Sequence, residues 1–172
     1  YQAGHPTGNT KNLFNDPSFR GWSGAVLYNA TEQLAVGLEA GFQDFYQKNA
    51  RALYHEGGSD ISAVVTHSIQ TIPIMLKGKY MFTTEGGVRP FAGLGIGGNL
   101  VQYRKYYGQF ADTDTKFGFA AQPELGVHFP IGRNSNTGIH VAAGYNIMPY
   151  QYGDADGLGG AVIKAGVSLP LR

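Results

Sequence analysis

FAGLGIGGNL, residues 91 to 100, poses the question that decides this fold. Gly93, Gly95 and Gly98 stand in the G-x-G-x-x-G spacing of a dinucleotide-binding loop. That loop needs a strand before it, a helix opening at its third glycine and an acidic residue about 20 positions on. The residues that follow, NLVQYRKYYGQF, show no apolar recurrence at three and four positions. A further glycine, Gly97, places small residues at 93, 95 and 97 with Leu94 and Ile96 between them. A period of two belongs to a strand with one crowded face. The nucleotide reading fails.

The rest of the chain repeats this alternation. Runs separated by turn residues predict strands at about 1–9, 20–30, 34–47, 61–82, 89–107, 115–131, 138–150 and 158–171, eight in all. The connections alternate in length. NATEQ (29–33), TTEGGV (83–88) and GRNSNT (132–137) are tight, whereas TKNLFNDPSF (10–19), KNARALYHEGGSD (48–60), GQFADTD (108–114) and QYGDADG (151–157) are longer and more polar. In an antiparallel meander every other connection lies at the same end. One end is therefore expected to carry tight turns and both termini, the other long loops, as in outer-membrane barrels.

Which face is apolar settles the solvent. Leu34, Val36, Leu38, Ala40 and Phe42 oppose Ala35, Gly37, Glu39, Gly41 and Gln43. Ile72, Ile74, Leu76, Tyr80 and Phe82 oppose Thr71, Met75, Lys77, Lys79 and Met81, and the later strands behave alike. A water-soluble barrel would turn the apolar faces inward and leave the glycines and charges outside. Here the apolar faces are continuous, while the small and charged ones suit a narrow interior. The pattern predicts an all-β, eight-stranded, antiparallel up-and-down transmembrane barrel, a closed form that satisfies the backbone in lipid. Gly93, Gly95 and Gly97 are expected to face its lumen and make room for long neighbouring side chains. Aromatic belts are expected at Tyr80, Phe82 and Phe129 near the tight turns, and at Phe42, Phe45, Tyr46, Tyr103, Phe117 and Tyr150 toward the loops. Strands four and five exceed the roughly eleven residues a bilayer needs, so their loop-side ends are expected to project.

Bulk composition agrees. A chain of 172 residues fits one domain, residues 1–172. Its 26 glycines, 11 tyrosines and 10 phenylalanines are abundant, and its 15% of charged residues is low for a soluble domain. A net charge of +1 gives no electrostatic case for nucleic acid. The absence of cysteine removes disulfides and thiolate metal sites from consideration. No secretory leader opens the sequence, which fits the mature form of an exported protein.

The order SFRGW (18–22), LAVGLEAGFQDFYQK (34–48), IPIMLKGKYMF (72–82) and RPFAGLGIGG (89–98), with PTGNT (6–10) before them, resembles the outer-membrane β-barrel domain family common in Bacteroidetes. That family is similar to the small barrels OmpA, OmpX and OmpW. The resemblance implies eight antiparallel strands, a bacterial outer-membrane location and frequently no assigned activity. Two departures stand out: the first strand is clipped at Tyr1, and the chain ends in SLPLR rather than a terminal aromatic. Both leave room for further residues.

The chemistry-bearing residues are few. Glu39, Lys77, Lys79, Glu124 and Lys164, with Arg89 near a turn, are the expected lumen charge network. Paired, they make a salt-bridged plug; unpaired, they line a narrow, porin-like path. His128 and His140 fall on neighbouring strands facing the lumen, while His5 and His55 read as loop residues. Two imidazoles without a placed carboxylate do not make a metal site. His67 and Ser68, high on the fourth strand, have the residue types of a lipid-acting enzyme but no orienting acid. ADTDT (111–115) and GDADG (153–157) lack the calcium-loop register and read as solvated turns. SFRGW loosely resembles the G-x-W region of lipocalins, but its Gly and Trp are adjacent, and the charges would enter a cavity meant to be apolar.

The expected function is non-enzymatic: an outer-membrane barrel with a closed, polar lumen, acting as a structural or interaction component through its loops or as an accessory subunit. No cofactor and no metal is expected. The expected partners are outer-membrane lipid, lipopolysaccharide and other outer-membrane proteins. The alternative is a narrow channel for ions or small solutes.

Overall fold

The computed structural model describes residues 1–7, 17–48, 52–56, 59–63, 65–107, 110–131, 137–152 and 155–170, with side chains described for 1–7, 17–45, 69–102, 115–131, 137–149 and 159–170. Alternation in the sequence becomes strand throughout: β1 (Gln2–Thr7), β2 (Ser18–Asn29), β3 (Leu34–Lys48), β4 (Ala52–Glu56), β5 (Ser59–Ala63), β6 (Val65–Met81), β7 (Arg89–Tyr107), β8 (Phe110–Pro130), β9 (Gly138–Tyr152) and β10 (Ala155–Ser168). Eight of these close an antiparallel barrel in the order β1-β10-β9-β8-β7-β6-β3-β2, a simple meander. β4 and β5 form a separate two-stranded sheet.

Three boundaries differ from the sequence expectation. The stretch 48–60 is no plain loop: Ala52–Glu56 pairs with Ser59–Ala63, and the barrel strand starts only at Val65. The stretches 108–114 and 151–157 are largely strand, because β7 runs into β8 up to Tyr107↔Phe110 and β9 into β10 up to Tyr152↔Ala155. β8 is 21 residues long, and at about 3.3 Å per residue its length exceeds the roughly 25 Å apolar band by a wide margin even when tilted. The loop residues 8–16 lie outside the described residues.

The first strand also sits higher than expected. β1 has six residues and pairs with β10 from Gln2↔Lys164 to Thr7↔Gly159. Its pairing with β2 is confined to Gln2↔Gly21 and Gly4↔Ser18, with a bulge between. Tyr1 exchanges two backbone hydrogen bonds with Ala165, each 3.0 Å. This places Tyr1 part-way up the wall, not at the tight-turn rim where both termini were expected.

Facing is as the period of two requires. Val26, Leu38, Leu76, Leu125, Ile163 and Val167 are 58 to 69% exposed, while Glu39, Lys77, Gln122, Glu124 and Lys164 are buried. In water this arrangement would forfeit the burial of every outward Leu, Ile and Val, each worth about 1.5–3 kcal/mol. In lipid it is the stable one. The lipocalin reading is thereby overturned, since its apolar faces would point inward. At the tight-turn end Tyr80 and Phe82 meet edge to face at 5.7 Å, with Tyr28 and Phe129 also exposed. Phe45 is not a belt residue: it turns inward against the buried Ile69, Met75, Val101, Ala120 and Met148. Tyr46, Tyr103 and Tyr150 lie outside the described side chains.

The tight turns are held by local chemistry. The Thr31 hydroxyl accepts from the backbone N–H of Leu34 at 2.9 Å, and the Thr83 hydroxyl accepts from that of Glu85 at 3.3 Å. Gly86 takes φ 90°, a left-handed conformation that favours glycine.

Glycines do two jobs in the lumen. A Cβ on Gly97 would lie 2.2 Å from the Ile74 carbonyl oxygen, so this glycine permits close backbone approach. Elsewhere a glycine accepts a side chain from the next strand. Met75 leans on Gly95, Glu124 on Gly93, Phe91 on Gly126, His128 on Gly138 and His140 on Gly166. This is the space-making role expected of Gly93 and Gly95.

Candidate functional site: the charged lumen

The inward side chains stack in tiers along the barrel. Among the described side chains, the tier nearest the long loops is the apolar one of Ile69, Met75, Val101, Ala120 and Met148, edged by polar pairs. Gln43 Nε2 donates to the Ser18 hydroxyl at 2.8 Å, and Asn99 Nδ2 approaches Met148 Sδ at 2.7 Å. A polar lumen was expected, and this apolar tier is an addition to it. Its source is Ile69, Val101 and Met148, which share parity with the polar residues of their strands.

Below it, four charges from four strands meet. Lys77 Nζ lies 2.8 Å from Glu39 Oε2 and 2.7 Å from Glu124 Oε2. Lys164 Nζ contacts Glu39 Oε1 and lies 3.3 Å from Glu124 Oε2. Each acid thus touches both lysines and each lysine both acids. Gln122 completes the tier: Lys164 donates to its Oε1, and its own Nε2 donates to Asn146 Oδ1. Two acids and two bases sum to zero, and the side chains are 4 to 8% exposed. At such burial only this mutual pairing makes the charges tolerable.

Two members of the expected network stand apart. Lys79 places its ammonium 3.9 Å from the centroid of the Phe91 ring, a cation–π contact. Arg89 opens β7 and faces the lumen at the tight-turn end. Glu39, Lys77, Glu124 and Lys164 are therefore brought together, whereas Lys79 lies over Phe91 and Arg89 lies at the tight-turn end, outside their ion pairs.

Of the histidines, His128 and His140 are cross-strand partners, as expected. His5 is not on a loop: it lies in β1, exposed, with Nδ1 2.8 Å from the Pro6 carbonyl oxygen. The side chains of His55, His67 and Ser68, and the acidic stretches 111–114 and 153–156, lie outside the described side chains. Among the described residues no group of three or more His, Asp and Glu is disposed to hold a metal ion.

Sequence reasoning placed these charges in one lumen network, but missed that Lys79 and Arg89 stand outside the four-charge set and that Arg89, His128 and His140 stand abreast. The register Arg89↔His128↔His140 carries the second point. Their similar distances from the tight turns were the available signal.

A family model described as outer membrane protein beta-barrel domain matches residues 2–169. No curated protein and no solved structure matches the chain. The lipid-facing wall, the meander of eight strands and the family match over nearly the whole chain agree: this chain belongs to the outer membrane protein β-barrel domain family.

Proposed function

We propose that this barrel is a non-enzymatic component of the bacterial outer membrane that meets its partners through its long-loop end and its outer wall. The observation that carries the reading is the lumen's stack of an apolar tier on a closed four-charge cluster. An apolar tier above mutually neutralised charges offers solutes no polar path through the lumen. The surfaces that suit a large partner are the lipid-facing wall and the loop end, where β7 and β8 extend beyond the bilayer span. Lipid, lipopolysaccharide and other outer-membrane proteins are the partners this geometry suits.

Native mass spectrometry of the protein, extracted in mild detergent from its own membranes, tests the reading. Co-extracted subunits would make it an accessory barrel; a lone barrel carrying lipid would favour binding by the loops. Stable open-channel conductance in a planar bilayer would instead favour a narrow channel. Lipid turnover abolished by His67→Ala would favour an enzyme.

A further inference from the structure

The tight-turn mouth of the lumen collects positive and ionisable nitrogen groups with no acid in contact among the described residues. Arg89 on β7, His128 on β8 and His140 on β9 are direct cross-strand partners, and their side chains share the inward face. Lys79 on β6 joins them from above, over the Phe91 ring. Both lumen acids, Glu39 and Glu124, are already engaged by Lys77 and Lys164. Arg89 and Lys79 thus bring two positive charges to this mouth beside two imidazoles, a setting that favours an anion.

The second observation is unmet hydrogen bonding. Arg89 Nε is buried with no hydrogen-bond partner, and its N–H is only a donor. His128 is 4% exposed, and its Nδ1 is likewise buried without a partner. A buried donor left unmade is costly, and the fold has set these two side by side. The rings are not loosely packed. A Cβ on Gly138 would lie 2.5 Å from His128 Cε1, and one on Gly166 would lie 2.9 Å from His140 Cε1. Each imidazole is laid against a glycine of the next strand, which fixes its position. Ser168 Oγ, 3.4 Å from His140 Nδ1, adds a hydroxyl to the rim. Arg89 and His140 are half-buried, so the row is reached from the mouth.

We propose that Arg89, His128 and His140 form a binding site for a phosphate-class oxyanion at the tight-turn mouth, with Lys79 supplying further positive charge. The tetrahedral anion accepts from Arg89 Nε and from the His128 ring, and its charge offsets those of Arg89 and Lys79. Arg is suited to this task by its fixed fork of donors. The chemistry is that of a phosphate group, whether free or at the head of a phospholipid in the adjoining leaflet.

The test uses the whole barrel refolded in a phosphate-free, zwitterion-free detergent. Thermal unfolding is followed while inorganic phosphate replaces chloride at constant ionic strength. A parallel arm adds short-chain phosphatidylglycerol to the micelles. Phosphate is expected to raise the unfolding midpoint in a saturable way, and Arg89→Gln is expected to weaken its apparent affinity by roughly tenfold or more. A saturable response to the lipid alone, lost in Arg89→Gln, also supports the site and assigns the source as a headgroup. Should Arg89→Gln fail to refold, His128→Gln gives the same reading. No saturable response to either probe overturns the proposal, as does a response that both variants retain in full.

Discussion

Replacing Glu39 by Gln removes one charge from the closed cluster while keeping its volume. Glu39 contacts both Lys77, at 2.8 Å, and Lys164. At 2.8 Å and an effective dielectric of about 20, one such contact carries about 6 kcal/mol of direct attraction before desolvation. Much of that only offsets the cost of burying the ions. After the substitution Lys77 and Lys164 must share Glu124, at 2.7 and 3.3 Å, and the set acquires a net charge of +1. Removing one partner from a buried ionic group costs about 3–5 kcal/mol, and Glu39→Gln is expected in that range. Adding Lys164→Met restores neutrality, leaving one acid with one base. The double variant is expected to recover at least half of the loss, since these residues belong to one network and are not additive. Urea unfolding of the refolded barrel in vesicles measures this, followed by the fluorescence of Trp22, the single tryptophan, which lies exposed on the outer wall. A loss below about 1 kcal/mol for Glu39→Gln, or no recovery in the double variant, would refute the reasoning. So would raised ion conductance with unchanged stability, which would make the cluster a gate.

Three further outcomes follow from the wall. Gly97→Ala is expected to cost about 1–3 kcal/mol or more, because its Cβ would meet the Ile74 backbone, whereas Gly24→Ala, with nothing within 4 Å, should be near neutral; refolding yield and urea midpoint compare them. Leu76→Arg on the lipid face, next in sequence to the mid-height Lys77, should cost about 2–4 kcal/mol in vesicles, whereas Tyr28→Arg near the tight-turn rim should cost about 0–1. Phe117→Ala should destabilise more than Phe119→Ala despite the higher exposure of Phe117, because its ring covers Gly98 on the neighbouring strand. Equal losses in the two variants would count against that covering role.

Strand facing was readable because lipid and lumen impose opposite demands on alternate residues. Leu76 and Lys77 illustrate it: the parity of one fixes the side of the other. The extension of β8 was hard to read for the same reason inverted. Residues such as those of FADTD (110–114) lie beyond the stretch where lipid demands an apolar face, so no apolar alternation marks them as strand. The β4–β5 pair was hidden similarly by HEGGSD (55–60). Phe45 was misplaced because its aromaticity outweighed its parity, which it shares with the inward Gln43. The Glu39–Lys77 contact was legible, because their strands are neighbours and the two residues lie at equal distances from a tight turn. Lys164 reaching Glu39 was not, since β10 and β3 are separated in the barrel and their contact crosses the lumen. Cross-lumen contacts depend on barrel diameter and side-chain reach, which no local spacing encodes.

That crossing has a consequence for how the protein enters its membrane. The four charges come from β3, β6, β8 and β10, so the full set exists only after the last strand has docked. A half-inserted sheet would present these side chains to acyl chains singly, each opposed by about 2.5–3.5 kcal/mol. Insertion strand by strand is thereby disfavoured, and crossing as a nearly closed cylinder is favoured. A chain that mis-threads one strand carries its own penalty at mid-bilayer, so the same residues that plug the finished barrel also discriminate against wrong assemblies along the way.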